Sequence, residues 1–136
     1  MNKAIIKAAK SLTKSIPIIL GTILLVSLIS TVIPNKFYKA LFQNNIFLDS
    51  ILGTAAGSIS AGNPVTSYIL GGELLDHGVS LLAITAFLVA WVTVGMIQLP
   101  AESATLGRKF AILRNISAFV LAIGVAIVTT LILGVL

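Results

Sequence analysis

Three stretches of the chain, about 16–33, 79–99 and 116–136, are apolar almost throughout. Each approaches the ~20 residues that a helix needs to cross a hydrocarbon core of ~30 Å, and together they predict three transmembrane helices. Between the first two, over about 46–76, the hydrophobicity persists but is cut by Gly57, Gly62 and Pro64. That segment is too long for one simple span and too interrupted for one straight helix. At the N-terminus, over 1–15, Lys3, Lys7, Lys10 and Lys14 fall within about 60° of one another at 100° per residue, opposite Ile5, Ile6, Ala9, Leu12 and Ile16. The pattern predicts an amphipathic helix flat on an anionic leaflet, its lysines on lipid headgroups, or else a basic tail that only sets orientation. Pro17 suits the first turn of the span that follows and Pro34 its end. Phe37, Tyr38 and Phe42 in the next link suit a membrane–water boundary. In the last span Ala118, Ala122, Ala126, Thr130 and Gly134 recur every four residues, a ridge of small side chains that lets another helix approach closely.

Two geometries fit 46–76: a broken helix that crosses, or a re-entrant hairpin of two half-helices. The distribution of basic residues favours the hairpin. With a hairpin, seven basic residues (Lys3, Lys7, Lys10, Lys14, Arg108, Lys109, Arg114) share one side against two, Lys36 and Lys39, on the other. With a full crossing the bias disappears. The hairpin places the N-terminus in the cytoplasm, and arms of ~17–21 Å bring its tip near mid-bilayer. A chain reversal at that depth needs glycine and small side chains, and is tolerated only where protein or water covers it.

Composition agrees with an all-α integral membrane protein: 57% of the 136 residues are hydrophobic and 10% charged, with a mean hydropathy of +1.10, far from the ~25% charged of soluble domains. Cysteine is absent, which removes disulfides, thiolate nucleophiles and soft metal ligands; no metal or cofactor is expected. The net charge of +5 sits beside apolar segments without interleaved aromatics, so it reads as topology signals and not as a nucleic-acid surface. The first hydrophobic run is long for a secretory leader and no A-x-A-like site follows it.

Candidate chemistry concentrates in the hairpin. Asn63 followed by Pro64 makes a good helix opening, a capping side chain and then proline at the first helical position. It aims the positive end of the second half-helix at the middle of the membrane, where such ends attract anions or the negative end of a polar solute. Ser58, Ser60, Gly62, Asn63, Pro64, Thr66 and Ser67 at the tip are candidate solute-binding residues, with Gln98 from a smaller polar cluster around Pro100. Asn63, Thr66, Glu73 and His77 share one helical face. Glu73, His77 and Glu102 are candidate proton-coupling groups. Each has a plainer reading: the hydroxyls bond neighbouring backbone, as membrane serine and threonine commonly do, and Asp49, Glu73, Asp76, His77 and Glu102 are solvated interfacial ends. A serine hydrolase is not expected, because Ser60 and His77 stand on the order of 20 Å apart and no G-x-S-x-G is present. Nor is there a phosphate-binding glycine loop for ATP.

The run "GTAAGSISAGNPVTSYILGGELLDHGVSLLAITAFLVAWVTVGMIQLPAE" resembles the repeat unit of the predicted permease family that includes the organoarsenical efflux permeases. The matching features are the glycine-proline turn from Gly57 to Pro64, Gly78 opening the next span, and Gln98 to Glu102 closing it. Members commonly carry cysteines at the turn, where this chain has Ser58 and Ser60, which argues against thiol-seeking cargo. They also have two related halves where this chain has one. The resemblance therefore implies a half-size, single-repeat, multi-pass permease of the cell membrane, an inner-membrane protein, that pairs as a homodimer or with a separate half of opposite topology, and moves a small polar or anionic solute by alternating access. The competing expectation is a small membrane scaffold that binds another protein through the ridge of the last helix.

Overall fold

The computed structural model describes residues 2–43, 45–60 and 62–134, the side chains of Asn2, Lys3, Ile29, Ser30, Asn35 and Lys39 excepted. Among these residues seven helices follow one another: α1 (Asn2–Val32), α2 (Asn35–Leu41), α3 (Ile46–Ile59), α4 (Pro64–Asp76), α5 (Leu81–Thr93), α6 (Leu99–Leu106) and α7 (Arg108–Ile132). The fold is all-helical, in two units, Met1–Pro34 and Asn35–Leu136.

The first unit is α1. The segments expected separately over 1–15 and from residue 16 are one continuous helix with Pro17 in its interior. Proline forfeits one backbone donor but its φ is already helical, and the residues on both sides sustain the helix. Ala4–Leu28 within it is long and apolar enough to cross a membrane, with a mean hydropathy of 1.8. Lys7, Lys10 and Lys14 are exposed, and the side chain of Lys3 lies outside the described residues.

In the second unit α5 is the hub. Its residues Leu82, Ala83, Ile84, Ala86, Phe87 and Ala90 are buried, and α3, α4 and α7 all pack on it. Gly53 faces the Ala83 carbonyl and Gly57 the Phe87 carbonyl and Ala90 Cβ, so α3 and α5 run the same way. Added Cβ atoms would stand 2.2 Å and 2.3 Å from those oxygens; only glycine permits this approach. Gly71 of α4 lies against Ile84 and Leu88 while Leu74 packs near Val79 and Ile84, so α4 runs antiparallel to α5. The chain therefore reverses between α3 and α4, as the glycine-proline signal predicts, although each arm leans on α5 more than on the other arm. Ala126 of α7 packs with Leu82 and Ala86, and Ala122 with Ala90 and Val94, which makes α7 antiparallel to α5. The small-residue ridge is thus used inside the chain, with Ala122, Ala126 and Thr130 buried.

Two of the expected spans have other bounds. The helix expected over 79–99 stops at Thr93, and its 13 residues make only ~20 Å. The helix expected from 116 begins at Arg108, because Gly107, at φ 93°, turns the chain out of α6 within a single residue. Arg108, Lys109 and Arg114 accordingly lie in α7 and not in a loop. Arg108–Ile132 is the second helix long and apolar enough to cross a membrane, with a mean hydropathy of 2.2.

Polarity is distributed in the reverse of a water-soluble fold. α3 buries Asp49, Ser50, Gly53, Thr54, Gly57 and Ser58 while Phe47, Ile51 and Ile59 are exposed. α7 buries alanines, Asn115 and Thr130 and exposes Leu113, Val120, Leu121 and Leu131. Such an exterior, with the two long apolar helices, is compatible with a membrane protein.

Candidate functional site

At the end of α5 where the chain breaks between α3 and α4, a cavity of about 80 Å³ is lined by Ser60, Gly62, Trp91, Val94, Gly95, Gln98 and Arg114, among others. Local structure explains why these residues meet. α3 ends at Ile59 and the Ser60 amide donates back to the Gly57 carbonyl. α4 begins at Pro64 behind the Asn63 cap, whose side-chain oxygen accepts the Val65 N–H at 3.0 Å. Opposite, α5 is stopped by the Val94–Gly95 turn, held by Asn115 of α7: its Oδ1 accepts the Gly95 N–H at 2.8 Å, and its Nδ2 donates to the Ala111 carbonyl at 2.9 Å. Nδ2 also donates to Glu102 Oε2 at 3.2 Å. Arg114 donates to Glu102 Oε1 and, through Nη2, to the Thr93 carbonyl at 3.2 Å. The two polar segments that are separate in sequence, the hairpin tip and Gln98 to Glu102, are thereby brought to one end of the bundle.

The predicted site residues divide into three groups. Ser60, Gly62 and Gln98 line the cavity. Asn63 and Pro64 build the helix opening beside it; Asn63 is exposed and Thr66 half-buried, and the Thr66 amide donates to the Asn63 carbonyl at 2.9 Å. Ser58 and Ser67 face away into packing: both are buried, and their hydroxyls donate to the Thr54 and Pro64 carbonyls at 2.6 Å and 2.7 Å. The Ser60 hydroxyl likewise donates to neighbouring backbone, the Ala56 carbonyl at 2.7 Å, but it does so beside the cavity.

Glu73 and His77 are toward the other end of α4, about 15 Å and about 21 Å from Asn63 at 1.5 Å per residue. His77 Nε2 lies 3.3 Å from Glu73 Oε1, and the imidazole stacks on Tyr38 of α2 with centroids 4.8 Å apart and planes 7° from parallel. His77 is thus packed and not a solvated end; Tyr38 and Phe42 also cover the core formed by Val79, Ala83 and Ile84. Asp76 is exposed. Glu102, far from that pair, has both oxygens engaged by Arg114 and Asn115. The structure therefore separates the three candidate proton-coupling groups between opposite ends of the molecule's second unit.

Four residues that matter here carry no site role in the sequence reading. Trp91 lines the cavity with its Nε1 buried and, among the described residues, without a hydrogen-bond acceptor. Arg114 counts there only as a topology signal, and Asn115 only as the edge of a span, although an asparagine flanking an apolar run is itself a signal for an internal hydrogen bond. Asp49 is not a solvated end but 1% exposed. Its Oδ2 accepts the Ser80 hydroxyl proton at 2.7 Å, and the Ser80 Oγ in turn accepts the Ala83 N–H at 3.3 Å, so one carboxylate in the first turn of α3 steadies the N-cap of α5.

No protein-family model matches the chain, and no curated protein or solved structure does either.

Proposed function

We propose that the chain is one half of a membrane permease, a half-size, single-repeat relative of the predicted permeases that include the organoarsenical efflux permeases, and that two copies complete a pathway for a small polar or anionic solute. The observation that carries this reading is the cavity at the helix break, a polar recess in a fold that exposes many large apolar side chains. Irregular backbone at membrane depth is tolerated where it lines such a cavity, and broken helices are where transporters bind solute.

In this reading α1 and α7 cross the bilayer with the N-terminus in the cytoplasm. α3 and α4 dip in and return, and α5 with its Val94–Gln98 turn makes the third passage. Arg114 stands six residues into α7, ~9 Å along its axis, a depth that suits a recess reached from the cytoplasmic side. Alternating access then consists of opening the recess to one side and the other across the interface between copies. Glu73 beside His77 is the pair to which proton exchange would fall.

The scaffold reading draws less support, because the ridge it needs is occupied: Ala122 and Ala126 are 1% and 0% exposed, packed on α5.

Purified protein reconstituted into liposomes should take up a labelled small anion or polar solute from a screened panel, and Ser60→Ala or Gln98→Ala should lower that uptake at least tenfold without loss of helicity. A protein that reconstitutes as folded dimers but moves none of the panel would remove the permease reading.

A further inference from the structure

The geometry points to an oxyanion as the ligand of the cavity, held by the Trp91 indole N–H and the Arg114 guanidinium. An indole nitrogen only donates, and so does a guanidinium. Trp91 Nε1 is buried with no acceptor among the described residues, a state that costs free energy unless a ligand or water supplies the lone pair. The Gly62 backbone comes close to this edge of the ring: a Cβ there would be 3.3 Å from Trp91 Cζ2. Arg114 uses one N–H on Glu102 and one on the Thr93 carbonyl, leaving further donors of its five for the cavity that it lines. The Ser60 hydroxyl donates its proton to the Ala56 carbonyl at 2.7 Å, so it offers lone pairs and can receive a hydroxyl of the ligand.

The first amides of α4 are not the donors. Val65 and Thr66 N–H are already taken by Asn63 and Pro64 has none, so the opening of α4 adds only its dipole. Size narrows the class further. About 80 Å³ corresponds to roughly three waters at ~30 Å³ each, a size that suits a phosphate-type or short carboxylate group and not a whole nucleotide. The same chemistry is found in a free anion and in a lipid headgroup. This inference deepens the permease reading and rests on it only for the transport of the anion, not for its binding.

Trp91 is the only tryptophan, so its fluorescence reports on its own site. In a neutral maltoside detergent, inorganic phosphate and acetate should change the emission saturably, while glucose and choline chloride should not. Trp91→Phe keeps the ring and loses the donor; equilibrium dialysis with radiolabelled phosphate should show at least tenfold weaker binding. Arg114→Gln should do the same, and if it unfolds, Arg114→Lys, which keeps charge but loses the fork, should weaken binding in a folded protein. Absence of a saturable response to either anion, or wild-type phosphate binding by Trp91→Phe, overturns the inference. In nanodiscs, a response to phosphatidylglycerol over phosphatidylcholine that abolishes the response to free phosphate identifies a headgroup as occupant, which keeps the oxyanion site and removes the permease reading. Phosphate binding without flux likewise removes that reading alone, whereas flux of neutral solutes without anion binding removes the oxyanion alone.

Discussion

Asn115 joins three parts of the chain, and its value lies in the buried groups it satisfies, the Gly95 amide first. Its side chain takes the Gly95 amide and gives to Glu102 and the Ala111 carbonyl at 5% exposure. Asn115→Ala strands the Gly95 N–H and should cost about 1–3 kcal/mol, read as a lower unfolding midpoint in detergent. Asn63, by contrast, is an exposed cap, and Asn63→Ala should cost about 1 kcal/mol, seen as faster hydrogen exchange at Val65 and Thr66 with little change elsewhere. At this scale the sequence is an uneven guide. It identifies Asn63 and Pro64 from their order alone, since a cap acts on its immediate neighbours. It does not reveal that Ser58 turns inward while Ser60 meets a cavity, because that depends on which face of α3 the rest of the bundle covers.

The helices themselves are set by local chemistry, and their contacts by two glycines. Asn45, Asn63 and Ser80 each cap the helix that follows by accepting its first amides, and Pro64 makes a clean start. The arms of the hairpin are therefore plain in the sequence. What is not plain is where α5 ends: an apolar run continues to Leu99 while the backbone stops at Thr93, held there by a hydrogen bond from Asn115, twenty residues on. Gly53→Ala should disrupt the α3–α5 contact, since the new Cβ meets a backbone oxygen that has no rotamer to change; a loss of about 1–3 kcal/mol or more is expected. Gly72→Ala is the matching control. Nothing lies within 4 Å of a Cβ at Gly72, so the change should be neutral or stabilise α4 by up to about 1 kcal/mol. Thermal unfolding of the two variants side by side would show whether close approach, and not helix propensity, accounts for the glycines.

At the scale of the whole second unit the decisive feature is that α5 collects α3, α4 and α7 around it, with α3 and α7 turning small and polar side chains inward and large apolar ones outward. Ala126→Leu should accordingly destabilise the single protomer, by about 1–3 kcal/mol from overpacking against Leu82 and Ala86, before it alters association between copies. The reversal between α3 and α4 leads to a topological prediction. Phe47 and Asp76, both exposed, lie at the outer ends of the two arms, and the chain has no native cysteine. Single cysteines at these positions should react with an impermeant reagent from the same side of a membrane; labelling from opposite sides would mean that the segment crosses. By itself the sequence determined the all-helical character, the break at Gly62 to Pro64, the two arms around it and the apolar exterior, because caps, helix breakers and hydropathy act within a few residues. Only the tertiary structure decided that the hairpin tip meets Gln98, Trp91 and Arg114, that Glu73 and Glu102 lie at opposite ends, and that the ridge of α7 is filled from within. Those outcomes depend on backbone approach and hydrogen bonds between residues tens of positions apart, which leave no periodic trace in either segment alone.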